Sequence, residues 1–408
     1  MAVFISVNPK NQEHHDMQVL EGIRVLDLTQ IYQGPYAAFL LAMAGAEVVK
    51  IEPHAGERAR RAGGVDTPMA FAMLNSNKKS ITLDLKNPDG KALLKSLVEK
   101  ADILMENFAP GTMDRLGVGY DVLKEINPRL IYASATGYGL SGPDRDQLAM
   151  DHTIQAASGL MSVTGERGGP PSRAGGTPCD IMGGIHMHAG ILQALLGRER
   201  SGKGTLVETA MMETMYFTLS SDLTHLHRTG ETPPRRGDKT NTLTTPYGRY
   251  ECTDGWIAII CVAEQHWERV LTVIGRADLI GDPAFADNEL RNARESEINE
   301  MIEKWSRALS RDEAFHTMRD AKVPVAPIRD IDDVRDDPHM HERGMLQHIE
   351  HPYLGNIVLP SSPIRLSAFE TSALQVFPEK GGDTASVLSE WLDLDDAKIA
   401  ELSSNGVV

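Results

Sequence analysis

Over the first 140 residues, short apolar runs alternate with stretches of helical periodicity. IRVLDLT (Ile23–Thr29), EVVKIE (Glu47–Glu52), SITLDLK (Ser80–Lys86), ADILMENF (Ala101–Phe108) and RLIYASATGYG (Arg129–Gly139) have the length and β-branched content of buried strands. Between them, Pro35 opens an apolar helix that closes at Gly45, and further helical stretches cover Gly90–Lys100 and Val122–Ile126. Strands separated by helices predict an α/β fold, a parallel sheet with helices on both faces. Ligands of such sheets gather at the carboxyl ends of the strands. That places interest on three loops: Gln30–Gly34, Asn107–Gly111 and Thr136–Pro143.

Beyond this half the pattern changes. Residues 151–230 read as mainly helical, with apolar stretches over Ile154–Met161, after Asp180, and over Glu208–His227. Pro233–Gly237 reads as a linker, Tyr247–Val262 as a hairpin turning at Asp254-Gly255, and Ser386–Val408 as a helix with a short terminal segment. The expected organisation is a flexible arm (1–18), a large domain (19–230), a linker (231–236), a small α/β domain (237–341), and a return segment with a C-terminal helix packing on the large domain (342–408).

Composition narrows the function classes. A net charge of −16 argues against nonspecific binding to nucleic acid or an anionic membrane surface, while leaving room for a local basic pocket. Three scattered cysteines, Cys179, Cys252 and Cys261, suit neither a disulfide framework nor a zinc site. The N-terminal arm lacks a signal-peptide core and no run is long enough to span a bilayer, so the expected setting is cytoplasmic.

One stretch offers chemistry. In GGTPCDIMGGIHMHAGILQALLGRERSGKG (Gly175–Gly204) a Gly/Pro-rich turn gives way to a helix at Asp180, with Ile181, Ile185, Ala189, Leu192 and Leu196 marking a buried face. Asp180 suits an N-cap. It also suits a nucleophile, because Gly183 and Gly184 admit a ligand or a second backbone and the helix N-terminus favours an ionised carboxylate. Neighbouring signals are weaker. His186 and His188 are two apart on a helix and diverge, so no metal is expected; Cys179 has no histidine partner nearby. Gly137-Tyr-Gly139-Leu-Ser-Gly142 matches a dinucleotide fingerprint, but the Pro143-Asp-Arg-Asp that follows reads as loop, not helix.

The ordered set LDLTQIYQGP, GAEVVKIE, NSNKKSITLDLK, ENFAPGTMDRLGVGY, NPRLIYASATGYG, QAASGLMSVTG, the Asp180 turn and RSGKGTLVETAM resembles class III CoA-transferases, the family of formyl-CoA transferase and carnitine CoA-transferase, over almost all of the chain from Leu20. The resemblance implies a Rossmann-like large domain joined to a smaller one, and an interlocked homodimer. It implies no tightly bound cofactor, with coenzyme A or acyl-CoA as substrate beside a small carboxylic acid. Asp180 falls on the family's catalytic aspartate, which passes through an acyl anhydride and an aspartyl-CoA thioester. Gln30, Ile31, Tyr32 and Gln33 match the loop that wraps the CoA thiol arm. Leu83 and Lys86 match positions near the adenine, Asn107 and Phe108 the loop over pantetheine and diphosphate, and Arg115 a phosphate-contacting arginine.

The chain departs from the family at two places. Tyr32 stands where formyl-CoA transferase has a catalytic glutamine, with Gln33 one residue on. Pro53 replaces a CoA-contacting arginine, leaving Arg58 or Arg60 to supply that contact. Two other functions compete. An α-methylacyl-CoA racemase needs an acid–base pair, yet Met150 occupies the racemases' histidine position beside Asp151 and His152 comes two residues late. A non-catalytic CoA-binding protein has no need of Asp180. Asp151 is expected to bind or orient.

Overall fold

The computed structural model describes residues 17–60, 69–235, 237 and 244–408. Most of the expected arm, and Arg236 of the linker, lie outside them. The chain divides into two compact units. The first runs to Ser158, resumes over Ala174–Thr218 and takes in Pro338–Val408; the second comprises Gly159–Arg173 and Leu219–Asp337.

In the first unit six strands form one sheet: β1 (Arg24–Asp27), β2 (Glu47–Glu52), β3 (Lys79–Thr82), β4 (Ile103–Glu106), β5 (Ile131–Thr136) and β6 (Thr205–Ala210). All neighbours pair in parallel, in the order β3-β2-β1-β4-β5-β6. Side chains alternate across the pleat. Leu26, Val49, Ile81 and Leu104 enter one core with Leu94 and Leu97 of the Pro88–Lys100 helix and with Val387, Leu388 and Trp391 of the C-terminal segment. Val25, Val48, Ile103 and Ile131 enter the other, with Ala38 and Leu41 of the Gln33–Met43 helix and Met187 and Ile191 of the Pro178–Ser201 helix. Strand order reverses between β1 and β4, so the loops leaving them diverge and open a crevice.

Two expectations fail here. Residues from Glu208 do not continue as one helix: TLVETA is the edge strand β6, paired with β5 from Ile131↔Thr205 to Thr136↔Ala210. It runs into MMETMY with no turn residue between them, so nothing local marks the change. The buried face of the Pro178–Ser201 helix is Asp180, Gly183, Gly184, Met187, Ile191 and Leu195. Ile185, Leu192 and Leu196 point outward and are exposed. Apolar residues lie all round this helix, so periodicity alone does not choose a face. The glycines do: a Cβ on Gly183 would stand 2.5 Å from Gln33 Nε2, and one on Gly184 2.5 Å from the Gln33 carbonyl oxygen. The close approach they permit is that of a second backbone.

In the second unit, β7 (Tyr247–Cys252) and β8 (Gly255–Ile260) form a hairpin, and β9 (Val325–Pro327) joins β8 antiparallel. Tyr250, Ile257, Trp267, Ile302 and Met318 form its core. Among the described residues no helix is long and apolar enough to cross a membrane.

Candidate active site

Asp180 is the third residue of its helix, and is 8% exposed. The N-cap is Thr177, whose side chain makes no capping bond. The cap comes from another helix, Asp151–Ala157, where Asp151 Oδ2 accepts from the backbone N–H of Cys179 (2.8 Å) and of Asp180 (3.4 Å). Gln155 Nε2 holds the other oxygen of Asp151 (2.6 Å), and Gln155 Oε1 takes the N–H of Ala174 (2.8 Å) just ahead of the helix. Asp151 thus satisfies the free N–H groups that Asp180 would otherwise cap, which frees the Asp180 side chain.

Burial, and after it the charge of Asp151, pushes the Asp180 carboxyl up to about 7. Desolvation and a like charge thus oppose the ionised state that a helix N-terminus is expected to favour. The neighbouring thiol is no rival. Burial, with the Asp151 and Asp180 charges, drives Cys179 up to about 12. His186 is exposed while His188 is buried, its imidazole pushed down to about 4 by burial.

Asp180 faces a cleft of about 510 Å³ at the carboxyl ends of β1, β4 and β5. Each of the three expected loops contributes: Gln30, Ile31 and Gln33 from the first, Asn107 and Phe108 from the second, Thr136 and Gly137 from the third. Asn107 ties two of them together, accepting from the Gln30 N–H (2.7 Å) and donating to the Gln30 carbonyl (2.8 Å). Gln33 is buried, and its Nε2 has no hydrogen-bond partner. A buried donor without an acceptor is costly unless something arrives to use it.

Five expected ligand positions do not line this cleft, among them Asp151, which caps the Asp180 helix instead. Tyr32 is the N-cap of the Gln33–Met43 helix. Leu83 lies in the core beside β3 and Lys86 is exposed beyond it. Arg115 is exposed on the short Thr112–Leu116 helix.

The structure also brings in residues that the sequence did not single out. Arg145 lines the cleft, and its Nη2 lies 3.7 Å from the point a Cβ on Gly111 would occupy, while Arg115 Nη1 lies 3.1 Å from the same point. Guanidinium nitrogens of two arginines therefore lie close to one glycine. Of the two arginines considered as substitutes at Pro53, Arg60 is spent: Nε and Nη2 hold Glu52 (2.9 and 2.6 Å), and the group stacks on Phe71. Arg58 is exposed and lines the cleft. Among the described residues Asp180 is the one carboxylate in the lining, and no histidine is there. Met150 lines it and exposed His152 does not.

Comparison with known proteins decides the family. A family model described as CoA-transferase family III matches residues 20–384. This chain belongs to that family. The transferase is 34% identical over 400 residues to the succinyl-CoA–L-malate CoA-transferase beta subunit of Chloroflexus aurantiacus, spanning 95% of this chain and 98% of that one. It is 36% identical to the acetyl-CoA:oxalate CoA-transferase of Acetobacter aceti over 86% of this chain and 90% of that one. The formyl-CoA:oxalate CoA-transferase of Streptomyces avermitilis is 34% identical over 96% and 100%. Among solved structures, a CAIB/BAIF family protein from Brucella suis superposes with a TM-score of 0.82 at 30% identity, covering 92% of the transferase and all of that chain. The three curated transferases among these relatives act on acyl-CoA and carboxylic acids.

Proposed function

We propose that this transferase moves CoA from an acyl-CoA donor to a carboxylic acid acceptor by covalent chemistry at Asp180. The observation that carries the reading is a buried carboxylate with no hydrogen bond of its own, facing a cleft whose other lining groups are arginines, amides, the Thr136 hydroxyl and apolar side chains. In the first step an Asp180 oxygen bonds to the thioester carbonyl carbon and the C–S bond breaks, leaving an acyl–aspartyl anhydride and CoA thiolate. The thiolate then attacks the aspartyl carbonyl, forming aspartyl-CoA thioester and releasing the donor carboxylate. The acceptor carboxylate reverses both steps and leaves as its own CoA thioester. Each addition creates an oxyanion, and the unpartnered Gln33 Nε2 is a donor suited to one of them. Such a sequence never touches the α-hydrogen. Thioesters of 2-methyl acids turned over in deuterated water are expected to exchange CoA without gaining α-deuterium; incorporation at the rate of transfer would point to the racemase chemistry instead.

Asp180 must be ionised to attack, and its carboxyl is raised to about 7. Accordingly kcat/KM is expected to rise with pH through about 7, falling roughly tenfold per unit on the acid side. Removing the adjacent charge with Asp151→Asn is expected to move that midpoint down. An unchanged midpoint in the variant would mean that another group controls the profile.

Arg115 and Arg145 suit the phosphates of CoA, since two like charges converging on one glycine accept a dianion in charge-assisted bonds. Arg115→Ala and Arg145→Gln are each expected to weaken CoA binding by roughly 1–3 kcal/mol, while leaving pantetheine thioesters unaffected. Equal losses for both ligands would assign the arginines to the acyl end.

The homodimer belongs to the same reading. Ile185, Leu192 and Leu196 form an outward apolar stripe on the Asp180 helix, and Tyr216 and Phe217 are exposed nearby in sequence. Leu192→Glu with Leu196→Glu is expected to halve the mass measured by sedimentation.

A further inference from the structure

Ile31 has a φ of 68°, and among the described residues it is the one β-branched residue in the left-handed region. A branched side chain resists that conformation. The side chains of Glu57, Asn107 and Lys50 hold the backbone at Ile31 and just before it. Its own N–H donates to Glu57 Oε2 (3.1 Å). On one side Gln30 is gripped at both backbone atoms by Asn107. Behind it the Thr29 carbonyl accepts from Lys50 Nζ (2.9 Å), and Lys50 stands 3.7 Å from the same Glu57 oxygen. Glu57 and Lys50 are 3% and 2% exposed, and the second Glu57 oxygen is occupied by the N–H of Ala59 (2.9 Å).

We infer that Glu57 is a positioning residue, which with Lys50 clamps Ile31 in its left-handed conformation and so preforms the Gln30–Gln33 loop of the cleft. Strain of this kind persists only where the surroundings over-determine it, and it concentrates at ligand-binding loops. Without the clamp Ile31 relaxes toward ordinary backbone angles. The Gln30 and Gln33 carboxamides then lose their fixed positions, and only a fraction of molecules present a competent cleft. Apparent affinity falls by that fraction. The strain expected for such a residue corresponds to a loss of roughly tenfold. Here Glu57 acts through the backbone of Ile31 and touches no reacting atom. This inference rests on the cleft being the CoA thioester site, and does not depend on which group attacks.

The test is a mutational cycle read by equilibrium CoA binding and by hydrogen exchange of the peptide carrying residues 29–34, neither of which requires turnover. Glu57→Ala is expected to weaken CoA binding about tenfold and to speed exchange in that peptide before ligand is added. Glycine adopts the left-handed region freely, so Ile31→Gly, whatever its own effect on CoA affinity as a cleft-lining residue, supplies a background in which that conformation needs no clamp. In the Ile31→Gly background, Glu57→Ala should cost less than threefold. An equal loss in both backgrounds, or a tenfold loss with no change in exchange, would overturn the clamp and leave Glu57 as an ordinary structural carboxylate. Should Glu57→Ala fold poorly because Lys50 is left unpaired, Glu57→Ala with Lys50→Met carries the same comparison. A failure of CoA to bind the parent protein at this cleft, shown by unchanged exchange on adding CoA, would instead sink the site assignment itself.

Discussion

Replacing Asp180 with alanine or asparagine is expected to lower CoA transfer by at least about 10³–10⁴-fold, since in groups acting as nucleophiles the loss is of that order or larger. CoA binding should stay largely intact, because the arginines and the Gln30 and Asn107 loops remain. Incubation of the parent with acyl-CoA followed by borohydride or hydroxylamine should modify Asp180 alone. Stability is expected to move the other way. Burial and the Asp151 charge raise the carboxyl from its ordinary range to about 7, so the unfolded chain gives up this proton first. Folding of the parent is therefore penalised progressively as pH rises from about 4 toward 7. Asp180→Asn escapes the penalty, and its denaturation midpoint at pH 8 should equal or exceed that of the parent, with the gap closing below pH 4. Parent-like turnover in either variant would remove Asp180 from the mechanism.

Breaking the buried ion pair beneath the first loop should produce the largest change in stability. Lys78 Nζ donates to Asp27 Oδ2 (2.9 Å), Asn75 Oδ1 (2.8 Å) and the Pro35 carbonyl (3.1 Å), and both charged side chains are inaccessible. Asp27 also accepts from the N–H of Thr29 (2.9 Å) and bonds its hydroxyl, at the root of the loop that enters the cleft. Asp27→Ala leaves an uncompensated buried ammonium and is expected to cost about 3–5 kcal/mol. Asp27→Leu with Lys78→Met removes both charges and should recover much of that loss. Burial alone would raise the Asp27 carboxyl, but the Lys78 and Lys50 charges and the Lys78 and Thr29 bonds overcome it and hold the group at about 2. Its contribution is thus complete above the unfolded value near 4 and is lost as pH falls toward 2. A parental midpoint in Asp27→Ala, measured by urea denaturation at pH 7, would show that the pair contributes nothing net.

The local signals of this chain were strong where strand and helix patterns differ sharply. Five of the six sheet strands, their parallel arrangement and the three loops at their carboxyl ends follow from apolar runs separated by helical stretches, because parallel pairing requires crossovers of that kind. Asp180 was legible as a carboxylate at a helix start, and the order of the motifs made the family legible. The sixth strand was not, since Thr205–Ala210 has no local feature that excludes helix and becomes a strand only by pairing with β5. The orientation of the Asp180 helix was not either: Gly183 and Gly184 fit against Gln33, and that contact joins residues 150 positions apart.

At the site the division is the same. Sequence determined which chemical groups are present: a carboxylate, amides and arginines. Tertiary structure decided their states. It assigned the helix cap to Asp151, and so left the Asp180 carboxylate without hydrogen bonds and raised its proton affinity. It used Arg60 on Glu52 and left Arg58 to the cleft, brought Arg145 beside Arg115, and held Ile31 in a conformation its side chain resists. Desolvation, charge proximity and backbone strain all depend on what lies near in space, and composition and periodicity carry no record of that.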